Sequence, residues 1–435
     1  MIEQPPGRQA DRARIAAWQL DRLRGLLAEL GQNRFWAPRL RAAGIGPDVA
    51  SVEQFCAAMP LVSKREIAED QIWHPPYGLN LSYPLQRYTR LHQTSGTTAR
   101  PIRWLDTPQS WAWMLGTWRE VFSAAGVGAG DRVLFAFSFG PFLGFWTAFE
   151  AAQGLGAMVL AGGSLSSEAR LNLLAENRAT ALCCTPTYAI RLGQTRAGLG
   201  LDCSSLRAIL VAGEPGGSVP AVRERIEQLW PGARVWDHHG MTEVGPVSYP
   251  CAVRPGALHV SERAYIAELI DPASGERLAP SAEGTRGELV LTTLGRAGSP
   301  LLRYRTGDLV VGRRLDRCDC GSTELCLEGG VLARVDDMAI VRSVNVYPGA
   351  VDEVVQRVPG VAEYRVVLRE TRGMTDMRVE AEPAAGADAA AVVEAIGQGL
   401  QASLSLRVEV VSVAPGSLAR FEMKARRWVR EAADG

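Results

Sequence analysis

Apolar positions recur at helical spacing over residues 9–31, where Ile15, Leu20, Leu23, Leu26 and Leu27 share one face. Residues 52–58 and 63–70 predict two short helices, the second opened by Ser63. From 107 to 237 the pattern alternates. Helices are expected at 107–125, 145–155, 165–176, 186–194 and 219–229. Short apolar runs at 131–137, 157–161, 179–183, 206–212 and 234–237 separate them. Strand and helix in strict alternation predict a parallel sheet covered by helices, with ligands at the carboxyl ends of the strands.

The pattern changes near residue 246. Runs at 264–270, 287–293, 301–305 and 309–312, punctuated by Gly and Pro, predict a β subdomain spanning about 246–335. After Asp336 the order becomes β (338–344), α (349–358), β (363–368), β (377–381), α (387–403), β (407–413). The fold class expected is therefore α/β: a large N-terminal domain, 1–335, and a small, mobile α+β C-terminal domain, 336–435.

Composition narrows the class. The chain has 435 residues, 47% of them hydrophobic, with 47 basic and 47 acidic side chains. A zero net charge argues against nucleic acid or an anionic membrane surface as partner. The polar N-terminus and the lack of any long apolar run predict a cytoplasmic protein. Lysine occurs only at Lys64 and Lys424, so each draws attention; Lys64, at a helix start, reads as a solvated surface residue. Eight cysteines in a chain of this length do not suggest a disulfide frame, and Cys183 and Cys184 read as buried fillers.

The chemistry begins at Thr94-Ser95-Gly96-Thr97-Thr98-Ala99-Arg100-Pro101, between two extended runs. Hydroxyls, amides and glycine suit a loop that wraps phosphate, and no Gly-Lys-Ser/Thr follows to make it a Walker loop. Three more segments stand out: Ala212-Gly213-Glu214-Pro215 after a strand, Asp237-His238-His239-Gly240-Met241-Thr242-Glu243, and Tyr304-Arg305-Thr306-Gly307-Asp308. Arg334-Val335-Asp336-Asp337 and a segment ending in Lys424 complete the series.

These motifs, in this order over roughly residues 30–430, resemble the adenylate-forming superfamily of acyl-CoA synthetases and adenylation domains. The likeness is strongest to its phenylacetate-CoA ligase-like branch. The resemblance implies an N-terminal domain that binds ATP through Thr94, Ser95, Gly96, Thr97 and Thr98. Gly213, Glu214 and Pro215 would line the nucleotide together with Asp237, His238 and His239. Thr242 would touch the α-phosphate and Glu243 would hold Mg²⁺, an oxygen-seeking ion suited to in-line phosphoryl attack. Asp308 would accept both ribose hydroxyls, Arg334 would contact ribose or phosphate, and Asp336 would be the hinge. Lys424 would stabilise the charge that develops during adenylation.

Departures from the family pattern are Ala99 and Arg100 for Gly-Lys, His239 for Tyr, and Ser343 for a glycine beside the pantetheine tunnel. The last leaves the acceptor open: CoA, or a carrier-protein thiol, amine or hydroxyl in a stand-alone adenylating enzyme. A non-catalytic nucleotide-binding homologue is the third class, opposed by retention of Thr242, Glu243, Asp308, Arg334 and Lys424. Phe139, Phe142, Phe145 and Trp146 would wall the acyl pocket, with Ala212, Gly240 and Met241 beside them. Such a wall favours a flat aromatic acid. The sequence leaves the oligomeric state open, a homodimer among the alternatives.

Cys251 and His259, then Cys318 and Cys320 on a Cys-Asp-Cys-Gly turn, form a second constellation. Three thiols and an imidazole suit a closed, structural Zn²⁺ site, with Cys326 as a substitute ligand and reduced, unliganded thiols as the other reading.

Overall fold

The computed structural model describes residues 5–94, 101–335, 339–342, 344–371, 374–421 and 425–431. Among these, five strands form a parallel sheet in the order Met158–Ala161, Arg132–Phe135, Ala181–Cys184, Ala208–Val211, Arg234–Asp237. Two of the three inner strands, Ala181–Cys184 and Ala208–Val211, are buried at every position, which is why they read as unbroken apolar runs rather than alternating ones. Helices cover both faces. Leu171, Leu174, Leu192 and Ile226 pack one face, and Trp118, Phe122, Ala148 and Ala152 the other. Cys183 and Cys184 lie in these cores, as expected, and burial pushes both thiols up.

The β region is a seven-stranded antiparallel sheet, from the Ser248–Pro250 edge through Leu258–Val260, Cys326–Arg334, Tyr304–Arg313, Thr285–Thr293 and Tyr265–Ile270 to Arg277–Leu278. It shares one apolar core with the N-terminal helices: Leu23, Leu26, Phe35, Trp36 and Phe55 meet Tyr265, Leu289, Leu291 and Leu327. The N-terminal segment is thus part of the β subdomain's core. The Lys64–Trp73 helix begins with a full capping box, in which Ser63 Oγ accepts from Glu66 N and Glu66 accepts from Ser63 N.

The structure corrects several sequence expectations. The runs at 301–305 and 309–312 belong mainly to one strand, Tyr304–Arg313, which carries Gly307 at φ 75° and Asp308 in its middle. Register shifts against both neighbours bulge this sheet beside Asp308, and the bulge hid the strand's continuity. The helix Trp36–Ala43 and the strands Cys326–Arg334 and Trp428–Glu431 had no clear periodic signal. The stretch around 338–344 is part of a hairpin, Ala339–Val341 with Val344–Val346.

The C-terminal unit has a core of its own, built from Val351, Val355, Tyr364, Val366, Val379, Ile396 and Leu400. Its four strands run Glu409–Ser412, Met374–Pro383, Val361–Thr371, Trp428–Glu431, with two helices, Pro348–Arg357 and Ala389–Leu404. Among the described residues no helix is long and apolar enough to cross a membrane.

Candidate active site

The site is assembled where the parallel sheet meets the antiparallel one. The hairpin of Arg90–Gln93 with Arg103–Asp106 closes on Thr94, whose N donates to Ile102 O at 3.0 Å and whose Oγ1 accepts from Ile102 N at 3.1 Å. This anchors both ends of the expected phosphate loop. Ser95, Gly96, Thr97, Thr98, Ala99 and Arg100 themselves lie outside the described residues.

Two strand ends side by side carry the 212–217 turn and Asp237. A Cβ on Gly217 would sit 2.7 Å from Asp237 Cγ and 2.5 Å from Val211 Cγ2, so this close approach requires glycine. Asp237 accepts from Ser218 Oγ at 2.5 Å and from His238 N at 2.9 Å, while burial pushes its carboxyl up to about 6. Gly213 has φ 98° and is exposed, leaving backbone at the turn available to a flat ring. The Glu214 carboxylate is engaged elsewhere: it accepts from Thr187 N at 2.9 Å and from Ala425 N at 2.7 Å.

The adjacent histidines point apart, as residues in an extended segment must. His238 is buried against Trp118, its Nδ1 2.7 Å from Ser248 O, and burial lowers it to about 3, so the ring is neutral and donates. His239 Nε2 lies 2.8 Å from Asp308 Oδ2, and Arg334 donates to Asp308 Oδ1 at 3.0 Å. Asp308 is buried, and both of its oxygens face nitrogen donors. Three separate motifs, 237–243, 304–308 and 334, therefore converge on one carboxylate.

Gly240–Met241 pairs with Gly245–Pro246, and a Cβ on Gly240 would meet Gly245 O at 2.9 Å. The next residues, Thr242 and Glu243, are gripped from behind. Arg296 Nη1 donates to Thr242 O at 2.8 Å and Glu243 O at 2.7 Å, and its other two nitrogens each bond Asp106 at 2.7 Å. Both members of this pair are fully buried. Sequence reasoning missed Asp106 and Arg296, since nothing local marks either.

The Glu243 carboxylate is buried and meets Lys64 Nζ at 3.1 Å. Lys64 is partly exposed, yet it is not simply a surface lysine; the helix start at Ser63 aims it into the site. The rarity of lysine in this chain was the available signal. Lys424 and Asp336 lie outside the described residues, as does Ser343.

Beside Gly240–Met241 packs the Leu143–Gly154 helix with its aromatic turn. Phe137 stacks on Phe145 at 3.9 Å between centroids, Phe139 meets Trp146 at 4.9 Å, and Phe142 meets Phe145 at 6.1 Å. Phe139, Phe142 and Phe145 are half-buried and Trp146 is 37% exposed. Gln93 N donates to Pro141 O at 2.9 Å, tying this turn to the strand that leads into the phosphate loop.

The Cys/His constellation is also assembled. One ligand atom from each of Cys251, His259, Cys318 and Cys320 lies within 4.8 Å of the others. Cys251 and Cys318 sulfurs are 3.8 Å apart, and Cys320 Sγ is 3.3 Å from His259 Nε2. Cys326 is a buried neighbour outside that set.

The AMP-binding enzyme family model matches residues 91–295, and the AMP-binding enzyme C-terminal domain model matches 343–431. The phenylacetate-coenzyme A ligase of Thermus thermophilus is 30% identical over 388 residues, covering 88% of this chain and 84% of that protein. The chain belongs to the AMP-binding enzyme family. It is an AMP-forming acid–CoA ligase of the phenylacetate-CoA ligase-like branch, working through an acyl-AMP. Among solved structures, 2-hydroxyisobutyryl-CoA ligase in its postadenylation state, with R3-HIB-AMP, matches with a TM-score of 0.89 at 28% identity, covering 99% of this chain and 94% of that one. The same ligase in the thioesterification state, with 2-HIB-AMP and CoA, matches over the same shares at 0.68.

Proposed function

We propose that this ligase activates an aromatic carboxylic acid and transfers its acyl group to the thiol of CoA. An acid oxygen attacks the α-phosphorus of ATP, the α–β phosphoanhydride bond breaks, and pyrophosphate leaves. The thiolate then attacks the acyl carbon and AMP departs. The observation that supports an aromatic acid is the partly open shelf of Phe139, Phe142, Phe145 and Trp146 beside Gly240–Met241. Half-buried rings, with Trp146 exposed, beside Gly240–Met241 suit stacking on a flat acyl group.

Asp308, already aligned by His239 and Arg334, suits the two ribose hydroxyls, because a carboxylate accepts two donors in one plane. Glu243 is buried, acidic and placed one residue from Thr242, which fits Mg²⁺; the ion would offset phosphate charge. Residues 1–335 and 336–435 act as the two domains of this reading, with Asp336 as pivot, Lys424 as the adenylating cation and ATP, the acid and CoA as partners.

Cys251, His259, Cys318 and Cys320 fit structural Zn²⁺. Tetrahedral Zn–S and Zn–N bonds hold sulfurs roughly 3.8 Å apart and S–N pairs roughly 3.6 Å apart, near the spacings found. His259 Nδ1 lies 3.4 Å from Glu324 O and can carry the ring proton, so Nε2, which faces Cys320 Sγ, presents its lone pair to the thiol cluster.

A second reading, an aliphatic 2-hydroxy acid, is favoured by the likeness to 2-hydroxyisobutyryl-CoA ligase. Acid-dependent ATP–pyrophosphate exchange decides between them, using benzoates, hydroxybenzoates, anthranilates, phenylacetates, short fatty acids and 2-hydroxyisobutyrate. Exchange with an aryl acid and none with 2-hydroxyisobutyrate is the expected result. The reverse overturns the aromatic assignment. Exchange without any CoA thioester product overturns CoA as acceptor.

A further inference from the structure

We infer that Glu214 is a stage-specific positioning residue, a latch that seats the C-terminal segment for adenylation and must release before thioester formation. The inference rests on the two-step reaction above and on contacts that the resemblance does not assign. Glu214 stands at the nucleotide turn, yet its two oxygens bridge two chain segments far apart in sequence. Oε1 accepts from Thr187 N, in the first turn of the Pro186–Leu199 helix, and Oε2 accepts from Ala425 N. Ala425 directly follows Lys424 in the sequence. A carboxylate accepting a backbone N–H fixes the main chain itself, so the latch controls the position of the residue next to Lys424 whatever that side chain does.

Neighbouring contacts reinforce the same seam. Arg427 Nη1 donates across it to Thr187 Oγ1 at 3.3 Å, while Arg427 Nε is held within the C-terminal unit by Glu363 Oε1 at 2.7 Å. Ala221 N, at the start of the Pro220–Leu229 helix, donates to Glu353 Oε2 at 3.2 Å. Two backbone amides and one arginine of the seam are thus satisfied across it by groups on single side chains. These contacts are polar, and the Pro348–Arg357 and Pro220–Leu229 helices pack beside them. The chain matches its relative in the postadenylation arrangement more closely than in the thioester-forming one. The Glu214–Ala425 contact therefore belongs to the adenylation side of the cycle.

The test uses full-length wild type, E214A, E214Q and Ala425→Pro. Hydrogen–deuterium exchange reads the latch directly: the peptide containing Ala425 should exchange about tenfold faster in E214A, with E214Q between, because one charge-assisted bond is lost. Peptides from Val361–Thr371 and Ala208–Val211 should be unchanged, showing an intact fold. The second arm separates the half-reactions with phenylacetate as probe acid. ATP–pyrophosphate exchange should fall about tenfold in E214A and in Ala425→Pro, which removes the N–H donor, and CoA-dependent consumption of supplied phenylacetyl-AMP should fall less than about twofold in Ala425→Pro. Unchanged exchange at Ala425 overturns the latch, and equal losses in both half-reactions overturn its stage specificity. Wild type inactive toward phenylacetate counts against the proposed acid instead. The exchange arm then still decides the latch, and the kinetic arm is run with the acid the panel identifies.

Discussion

Replacing Asp106 by Asn should unfold the core of the site and slow adenylation together. Asp106 and Arg296 are both fully buried and share two bonds of 2.7 Å. Asn keeps one acceptor and turns an amide N–H toward the guanidinium, leaving a buried cation without its counter-charge. Breaking a buried pair from one side costs about 3–5 kcal/mol, and losing one to two charge-assisted bonds of about 1.5–3 kcal/mol each gives a similar figure. That is a large share of a typical stability of about 5–15 kcal/mol.

Arg296 also holds the carbonyls of Thr242 and Glu243, so its displacement loosens the residues expected to meet the α-phosphate and Mg²⁺. Urea unfolding followed by tryptophan fluorescence measures the first effect, since Trp104 and Trp111 lie on adjoining elements. Pyrophosphate exchange measures the second. A stability loss below about 1 kcal/mol would refute the reasoning, because only a solvated pair is worth so little.

The double variant Asp106→Leu/Arg296→Met leaves no unpaired charge. It should regain most of the stability while exchange stays low, for want of a donor to the two carbonyls. The pH dependence has a definite sign. Burial alone would raise Asp106, but the charge and hydrogen bonds of Arg296, with His92 nearby, hold it below its ordinary value. Its contribution is complete above the unfolded value of about 4 and is lost as pH falls through the folded value. Wild type and Asp106→Asn should therefore differ equally at pH 6 and pH 8 and converge only in acid.

Asp308→Asn should raise the KM for ATP about tenfold or more, since the amide offers one acceptor where two hydroxyls need two; an unchanged KM would remove Asp308 from the ribose site. Lys424→Ala should slow adenylation about 100-fold and leave ATP affinity, read by calorimetry, within about twofold; full activity would defeat that assignment. Metal analysis of protein purified without chelator should find close to one zinc per chain. Cys318→Ser should lose the zinc and melt several degrees lower, and a metal-free wild type with the same melting point as the variant would exclude the zinc site.

The order of strands and helices from 107 to 237 was legible because each element there has its own period. Buried parallel strands are apolar throughout, and the helices that cover them are apolar on one face. The Tyr-Arg-Thr-Gly-Asp pentamer and the Thr242-Glu243 pair stood out for another reason, as local strings that resemble the family's motifs. The strand Tyr304–Arg313 was not legible, because Gly307 and a bulge break its alternation where Asp308 is aimed inward.

By itself, then, the sequence determined the layered α/β plan and the adenylate-forming family to which the chain belongs. Tertiary structure decided which groups meet. Asp106 reaches Arg296 across 190 positions, Glu214 reaches Ala425 across 211, and Lys64 meets Glu243 through a capped helix start. Periodicity reports only which face of an element is buried. Pairing between charged groups on different elements depends on how those elements pack, and no local pattern encodes it.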